Sequence, residues 1–280
     1  MLRTRSAVRA LTTADREQAL EVCARDTRTN VFVAARILDG ALATAPGALL
    51  GYAEGPDLQS LCWVSANLVP VGCDEPALAA FAAKMRRSRH HCSSLFGPSD
   101  MVLPLWETLR PAWGKPRAVR ADQPVLAMAG PVSSGTPRDE KVRRARYDEV
   151  DLVMPAAAAM FTEEIGYPPY RGSGQLYRQG VASLIRAGHT FVRIEDGEVV
   201  FKADVGSVAL GVAQVQGVWV APRWRGQGVA VPAMATVVEQ IRAEIAPVVT
   251  LYVNDFNAPA RATYARVGFT DIGSFATVLM

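Results

Sequence analysis

The chain has 280 residues, half of them hydrophobic and 20% charged, a balance that suits a globular protein and excludes a disordered one. Its 30 basic and 27 acidic side chains leave a net charge of +3, too small to imply nucleic-acid binding by charge alone. No apolar run reaches the roughly 18 residues of a membrane span; Ala41–Tyr52 is broken by Pro46, Gly47 and Gly51.

The early arginines have no apolar stretch behind them, which argues against a signal peptide. Cys23, Cys62, Cys73 and Cys92 show no C-x-x-C spacing and read as reduced thiols of a cytoplasmic protein. His90, His91 and Cys92 are adjacent, but sequence neighbours rarely converge on one tetrahedral ion and no second Cys/His cluster exists. No metal is expected.

In chain order, Val8–Leu11 reads as a strand followed by the helix-start signal T-T-A-D. Helical segments are expected from about Asp15 to Arg25 and from about Asn30 to Leu38. Leu49–Tyr52 and Leu58–Leu68 read as strands parted by a turn at Glu54–Asp57. Pro76–Arg89 reads as a helix with Leu78, Phe81 and Met85 on one side.

Gly130–Lys141, rich in Pro, Gly, Ser and Thr, reads as a linker or exposed loop. It divides the chain into expected domains at 1–132 and 140–280. Past it, Val142–Arg146 is a short strand candidate. A helix with Asp151 as a plausible N-cap runs through Ile165, and the glycine- and proline-rich Gly166–Gly174 must be a loop. Tyr177, Val181, Leu184 and Ile185 form a helical stripe. Asp196–Gly197 between Phe191–Ile194 and Val199–Ala203 is a hairpin signal. Val212–Val220 is a strand, and the next helix carries Met234, Val237, Val238, Ile241 and Ile245 on one face. Thr250–Val253 is a buried strand, Ala258–Val267 a short helix and Phe269–Leu279 a closing hairpin. The order is β-α-α-β-β-β-α-β-α-β-β, an α/β class with a mixed sheet. The first half repeats it weakly, so a duplicated fold is expected.

The informative segment is Val218–Ala230, V-W-V-A-P-R-W-R-G-Q-G-V-A. A strand ends at Pro222, an Arg/Gly loop follows and an amphipathic helix begins at once. The first N–H groups of a helix lack internal partners and sit at the positive end of its dipole. Gly226 and Gly228 let an anion approach those amides, and Arg223 and Arg225 add positive charge. The segment is neither a P-loop nor a dinucleotide fingerprint, because the required glycine spacings are absent.

Strand–P-x-x-R-G-x-G-x-A–helix, then a strand, then Asn257, Ala260, Tyr264, Gly268 and Phe269 in N-x-x-A-x-x-x-Y-x-x-x-G-F, resembles the GNAT superfamily of acyl-CoA-dependent N-acyltransferases. The resemblance covers about Val142–Met280. It implies two tandem GNAT-like acyltransferase folds, the second carrying the cofactor loop. The whole is similar to two-domain actinobacterial acetyltransferases.

What the resemblance implies can be placed residue by residue. The loop amides of Arg225, Gly226, Gln227, Gly228, Val229 and Ala230 would hold the pyrophosphate of acetyl-CoA, with Arg223 beside them. Val218, Trp219 and Val220 would pair with the pantetheine arm and orient the acetyl carbonyl. Asn257 would contact the cofactor, although it equally suits an N-cap. Tyr264 would protonate the leaving thiolate, although a core aromatic would look the same.

Acetyl transfer to an amine needs deprotonation, a polarised carbonyl and a departing thiolate. No cysteine lies in the second half, so a cysteine acyl-enzyme is excluded there and direct transfer is expected. Where the family often carries a carboxylate, Gln214 and Gln216 stand instead. Glu163 or Glu164 is then the nearest base or amine-binding group, against the simpler reading of a solvated helix end. In the first half Asp74 and Glu75 occupy the place of Arg223 and Arg225, so that half reads as a degenerate copy without cofactor binding. The expected activity is acetyl transfer to a primary amine, on a small metabolite or a protein lysine, with a non-catalytic acyl-CoA sensor as the alternative. Neither nucleic acid nor membrane is an expected partner, and the chain is compatible with a homodimer.

Overall fold

The computed structural model describes residues 7–89 and 92–280. His90 and His91 lie outside the described residues. Within them, no group of His, Cys, Asp and Glu could hold a metal ion, and no helix is long and apolar enough to cross a membrane.

Contacts divide the chain into two compact units. One runs up to Val125 and includes Tyr252–Phe256 and Asp271–Met280; the other comprises Leu126–Leu251 and Asn257–Thr270. The first half contributes β1 (Val8–Ala10), α1 (Arg16–Ala24), α2 (Val31–Leu38), α3 (Ala41–Thr44), β2 (Leu49–Tyr52), β3 (Ser60–Val64), β4 (Asn67–Val71), α4 (Glu75–Met85), β5 (Ser94–Pro98), α5 (Ser99–Trp113) and β6 (Ala118–Met128). The second contributes β7 (Arg143–Arg144), α6 (Val150–Ile165), α7 (Gln175–Arg186), β8 (Thr190–Glu195), β9 (Glu198–Ala209), β10 (Val212–Val220), α8 (Ala230–Glu244), β11 (Val248–Tyr252), α9 (Ala258–Val267) and β12 (Thr270–Leu279). Apart from the one-turn α3, the two halves share one element order. Each also contains one parallel pair, β4 with β5 and β10 with β11, placed after an antiparallel meander.

In the first unit the strands run β1-β2-β3-β4-β5-β12-β6. Its core gathers Phe81 and Met85 of α4, Leu105, Trp106, Leu109 and Trp113 of α5, and Ala276 and Val278 of β12. Several elements differ from the sequence expectation, β5 and β6 among them, for which no strand was expected. Leu58–Leu68 is not one strand, because a tight hairpin joins β3 to β4. The Ser65 hydroxyl accepts from Trp63 Nε1 at 2.8 Å, and Ser65 N donates to the Asn67 carbonyl at 2.9 Å, closing a turn that no Gly or Pro announces. Helix α5, which the sequence does not announce, carries Pro104 and Pro111 inside it. Each proline removes a backbone donor, but the helix is retained by burying Val102, Leu105, Trp106, Leu109 and Trp113. The expected closing hairpin at Phe269–Leu279 is instead the single strand β12, paired antiparallel with β5 from Phe275↔Pro98 to Leu279↔Ser94.

In the second unit the strands run β11-β10-β9-β8-β7. Asp196 and Gly197 both adopt positive φ, at 49° and 74°, and close the β8–β9 hairpin between Glu195 and Glu198, as a type I′ turn requires. Helices α6 and α7 bury Val150, Val153, Ala157, Val181, Ala182 and Ile185 against Val192 and Val199 of the sheet. Helix α8 buries Ala233, Met234, Val237, Val238 and Ile241.

Candidate active site

The site begins where two parallel strands part. β10 and β11 pair at Val212↔Val248, Ala213↔Val249 and Gln214↔Thr250, and there the pairing ends. β10 continues to Val220 paired with β9 alone, leaving the other edge of Val215–Trp219 without a strand partner. At the last shared pair two buried polar atoms, Gln214 Nε2 and Thr250 Oγ1, have no hydrogen-bond partner. An unsatisfied buried donor costs about 1–3 kcal/mol, and a ligand in the cleft could relieve it.

Beyond β10 a short 3₁₀ turn, Pro222–Trp224, leads into the glycine loop and then α8. Gly226 and Gly228 have φ of 74° and 78°, and nothing lies within 4 Å of where a Cβ would stand on either. No side chain caps α8, and its first turn holds no acidic residue. The amides therefore face open space at the positive end of a 15-residue helix. α4 presents the opposite arrangement, for the Asp74 side chain accepts from Ala77 N at 3.0 Å and places a carboxylate on its own helix terminus.

Several predicted residues come together around this loop. Arg225 Nε donates to the Val220 carbonyl at 2.9 Å, and its Nη2 pairs with Glu163 Oε2 at 2.7 Å. Trp219 Nε1 donates to the other Glu163 oxygen at 3.2 Å. Gln227 Nε2 donates to the Arg223 carbonyl at 2.6 Å, and Arg223 pairs with Glu198 at 2.6 Å. Glu163 thus bridges α6, β10 and the loop.

Residues 158–269 match the family model described as Acetyltransferase (GNAT) family, and residues 47–153 match a domain of unknown function, DUF4081. No curated protein matches. Among solved structures, a GCN5-related N-acetyltransferase from Sphaerobacter thermophilus superposes with a TM-score of 0.63 at 16% identity, covering 99% of this chain and 96% of that one. A GNAT-family acetyltransferase from Colwellia psychrerythraea gives 0.57 at 13% identity, covering 98% and 99%. A tandem GNAT protein from the clavulanic acid biosynthesis pathway gives 0.56 at 17% identity, covering 96% and 97%. The fold is the GNAT fold, in tandem.

Two further predicted residues stand at α9, Asn257 just before it and Tyr264 within it. The Asn257 side chain accepts from Ala260 N at 3.2 Å and caps the helix. Tyr264 is buried and meets Phe269 edge-on at 5.8 Å between ring centroids. Burial pushes its phenol well above the ordinary value, and the charge of Glu164 pushes it further. The hydroxyl therefore stays protonated at neutral pH, and Glu164 lies within electrostatic reach of it.

Sequence reasoning missed one cluster beneath β10. Lys202 and Asp204 of β9 form a buried ion pair, and Thr190 of β8 donates its hydroxyl to Asp204 Oδ1 at 2.8 Å. A lysine and an aspartate two apart in an otherwise apolar strand, F-K-A-D-V, were the available signal. Alternation places both on one face, and ions are seldom buried without a role.

Proposed function

We propose that the second unit is an acetyl-CoA-dependent N-acetyltransferase that passes an acetyl group directly to a primary amine on a small metabolite or a protein lysine. The observation that supports this best is the open glycine loop set immediately above the parted β10 and β11. The residues present fit acetyl-CoA. A free strand edge suits an amide-bearing arm, exposed helix amides suit a pyrophosphate, and Gln214 and Thr250 supply buried polar atoms that lack partners.

On this reading the amides of Gly226, Gln227, Gly228, Val229 and Ala230 hold the pyrophosphate, with Arg223 and Arg225 beside them; the Arg225 amide, expected to join them, donates to the Pro222 carbonyl at 3.3 Å instead. The backbone of Val218, Trp219 and Val220 binds the pantetheine arm and points the acyl carbonyl at the acceptor, while Asn257 adds a polar contact. The bound group supplies an activated acyl thioester. Tyr264, held neutral by burial, donates its proton to the departing sulfur. Glu164 faces that phenol electrostatically, and Glu163 holds Arg225 against β10. Proximity of two bound substrates provides much of the acceleration.

In the first unit, Asp74 fills the corresponding helix terminus with negative charge and would repel a pyrophosphate, which supports one cofactor per chain. A non-catalytic sensor would need the loop but not the phenol of Tyr264. Two measurements test the reading: calorimetric titration with acetyl-CoA, and thiol release from acetyl-CoA in the presence of a panel of primary amines. Binding with amine-dependent thiol release is expected; absence of both would overturn it, and ping-pong kinetics would contradict direct transfer.

A further inference from the structure

Direct transfer needs a group that takes a proton from the acceptor, and β10 offers only the amides Gln214 and Gln216. Glu163 ties Arg225 and the Trp219 indole together at a half-exposed helix end. A buried carboxylate stands closer to β10, contributed by the neighbouring strand.

Asp204 is the direct cross-strand partner of both Gln216 on β10 and Thr190 on β8, so these three side chains share a face. Lys202, two residues earlier on that face, partners Trp219, whose indole reaches Glu163 on α6. The face is therefore the one covered by α6 and α7. Between Gln216 and Trp219 the β9–β10 register shifts, and Gly217 sits in that shift with φ +61°. A Cβ on Gly217 would stand 3.2 Å from Asp204 Oδ2, 3.3 Å from Lys202 Nζ and 3.1 Å from Met160 Cε. The strand expected to carry the thioester thus passes directly over the buried carboxylate, and the glycine there keeps a side chain from standing between them.

The surroundings suit an ionised carboxylate. Thr190 Oγ1 and Lys202 Nζ each donate to one of its oxygens. The other titratable group facing it is Tyr177 of α7, whose phenol is pushed up to about 12 by burial first and by the Asp204 charge second. α6 contributes Met160, and β10 contributes Gly217 and Gln216. Stability alone explains such a pair poorly, since desolvating two ions can cost as much as their attraction returns.

Resting on the acetyltransfer reading, we propose that Asp204 receives the ammonium group of the acceptor and takes its proton, directly or through one water. The ammonium loses H⁺ to the Asp204 carboxylate. Its lone pair forms the C–N bond as the C–S bond of the thioester breaks; the leaving sulfur takes a proton from Tyr264, and the acylated nitrogen gives its surplus proton back to the Tyr264 oxygen, leaving a neutral amide, a free thiol and a protonated Asp204 that releases its proton to solvent. Lys202 and Thr190 hold the Asp204 carboxylate in place.

The test uses the full chain and whichever amine of the panel supports thiol release. Asp204→Asn keeps the shape and a carbonyl acceptor while removing the charge. Its kcat should fall roughly 10²-fold, the acid limb of the kcat–pH profile should vanish, and calorimetric affinity for acetyl-CoA should hold. Binding of the same amine to the coenzyme A complex should weaken. Asp204→Asn combined with Lys202→Met removes both charges of the pair, so that no lone ion is left buried, and should lose kcat likewise; this arm decides the matter if Asp204→Asn alone does not fold. Full activity of Asp204→Asn or of the double variant beside an active wild type, or unchanged amine affinity, overturns the role of Asp204 and leaves acetyl transfer standing. A wild type that neither binds acetyl-CoA nor releases thiol overturns both.

Discussion

Replacing Gly228 with aspartate separates the electrostatics of the loop from its backbone geometry. Gly228 has φ +78° and no atom within 4 Å of a would-be Cβ. Alanine there therefore meets no clash and bears only the cost of a left-handed conformation, about 1–2 kcal/mol. Aspartate tolerates that conformation better and places a negative charge near the N-terminus of α8, where it suits the helix dipole. The folded state should therefore survive.

Binding is another matter. At an effective dielectric of about 20–40, two like unit charges about 6 Å apart repel by about 1.4–2.8 kcal/mol. A pyrophosphate carries about two charges, giving about 3–6 kcal/mol, or roughly 10²–10⁴-fold in affinity. Calorimetric titration of wild type, Gly228→Ala and Gly228→Asp with coenzyme A should show the aspartate variant weaker than the alanine variant by that factor. The gap should shrink in about 1 M salt, where the Debye length falls to about 3 Å. A folded Gly228→Asp that binds as well as Gly228→Ala would refute the placement of the pyrophosphate on these amides.

Tyr264→Phe keeps the ring against Phe269 and removes only the hydroxyl; kcat should fall roughly 10²-fold with acetyl-CoA affinity unchanged, and full activity would reduce Tyr264 to a packing residue. Calorimetry should return one coenzyme A per chain, because Asp74 caps α4; two equivalents would show that the first unit binds as well. Asp74→Ala should cost about 1 kcal/mol of stability as a lost cap, read from denaturant unfolding. Hydrogen bonds from Arg9, with further ones from Thr12, hold the Asp15 carboxyl at about 2 against an ordinary 3.8. A depressed folded-state value stabilises above the ordinary value and loses its effect as pH falls through the folded one. The Tm difference between wild type and Asp15→Asn should therefore be present at pH 5 and vanish by about pH 2. With Arg9 about half exposed its size should stay within about 1 kcal/mol, and a difference that grows on acidification would reverse the sign of the argument.

Much of this site was legible in the sequence because its causes are local. Gly226 and Gly228 occupy positive φ, α8 begins directly after them, and Asp196–Gly197 closes a hairpin, all as nearest neighbours dictate. Asn257 caps α9 for the same reason, and Val212–Val220 was readable as a strand from its composition. Local signals also failed where their punctuation was missing or misleading. Ser65–Ala66 turns without glycine or proline, and α5 continues through two prolines because burying Trp106, Leu109 and Trp113 outweighs the lost backbone donors.

What the sequence could not determine depends on pairing between distant strands. That β10 and β11 part after Gln214↔Thr250 is a matter of register, and a strand's composition does not encode where its partner leaves it. The C-terminal segment β12 runs beside β5 because Phe275, Ala276 and Val278 are buried there; its hydrophobic pattern would serve a hairpin equally well. Asp204 is twelve residues before Gln216 in the chain, yet the two are direct partners in the sheet. A glycine loop at a helix start carries its chemistry in its own backbone, whereas a carboxylate acquires its role from what folding brings beside it.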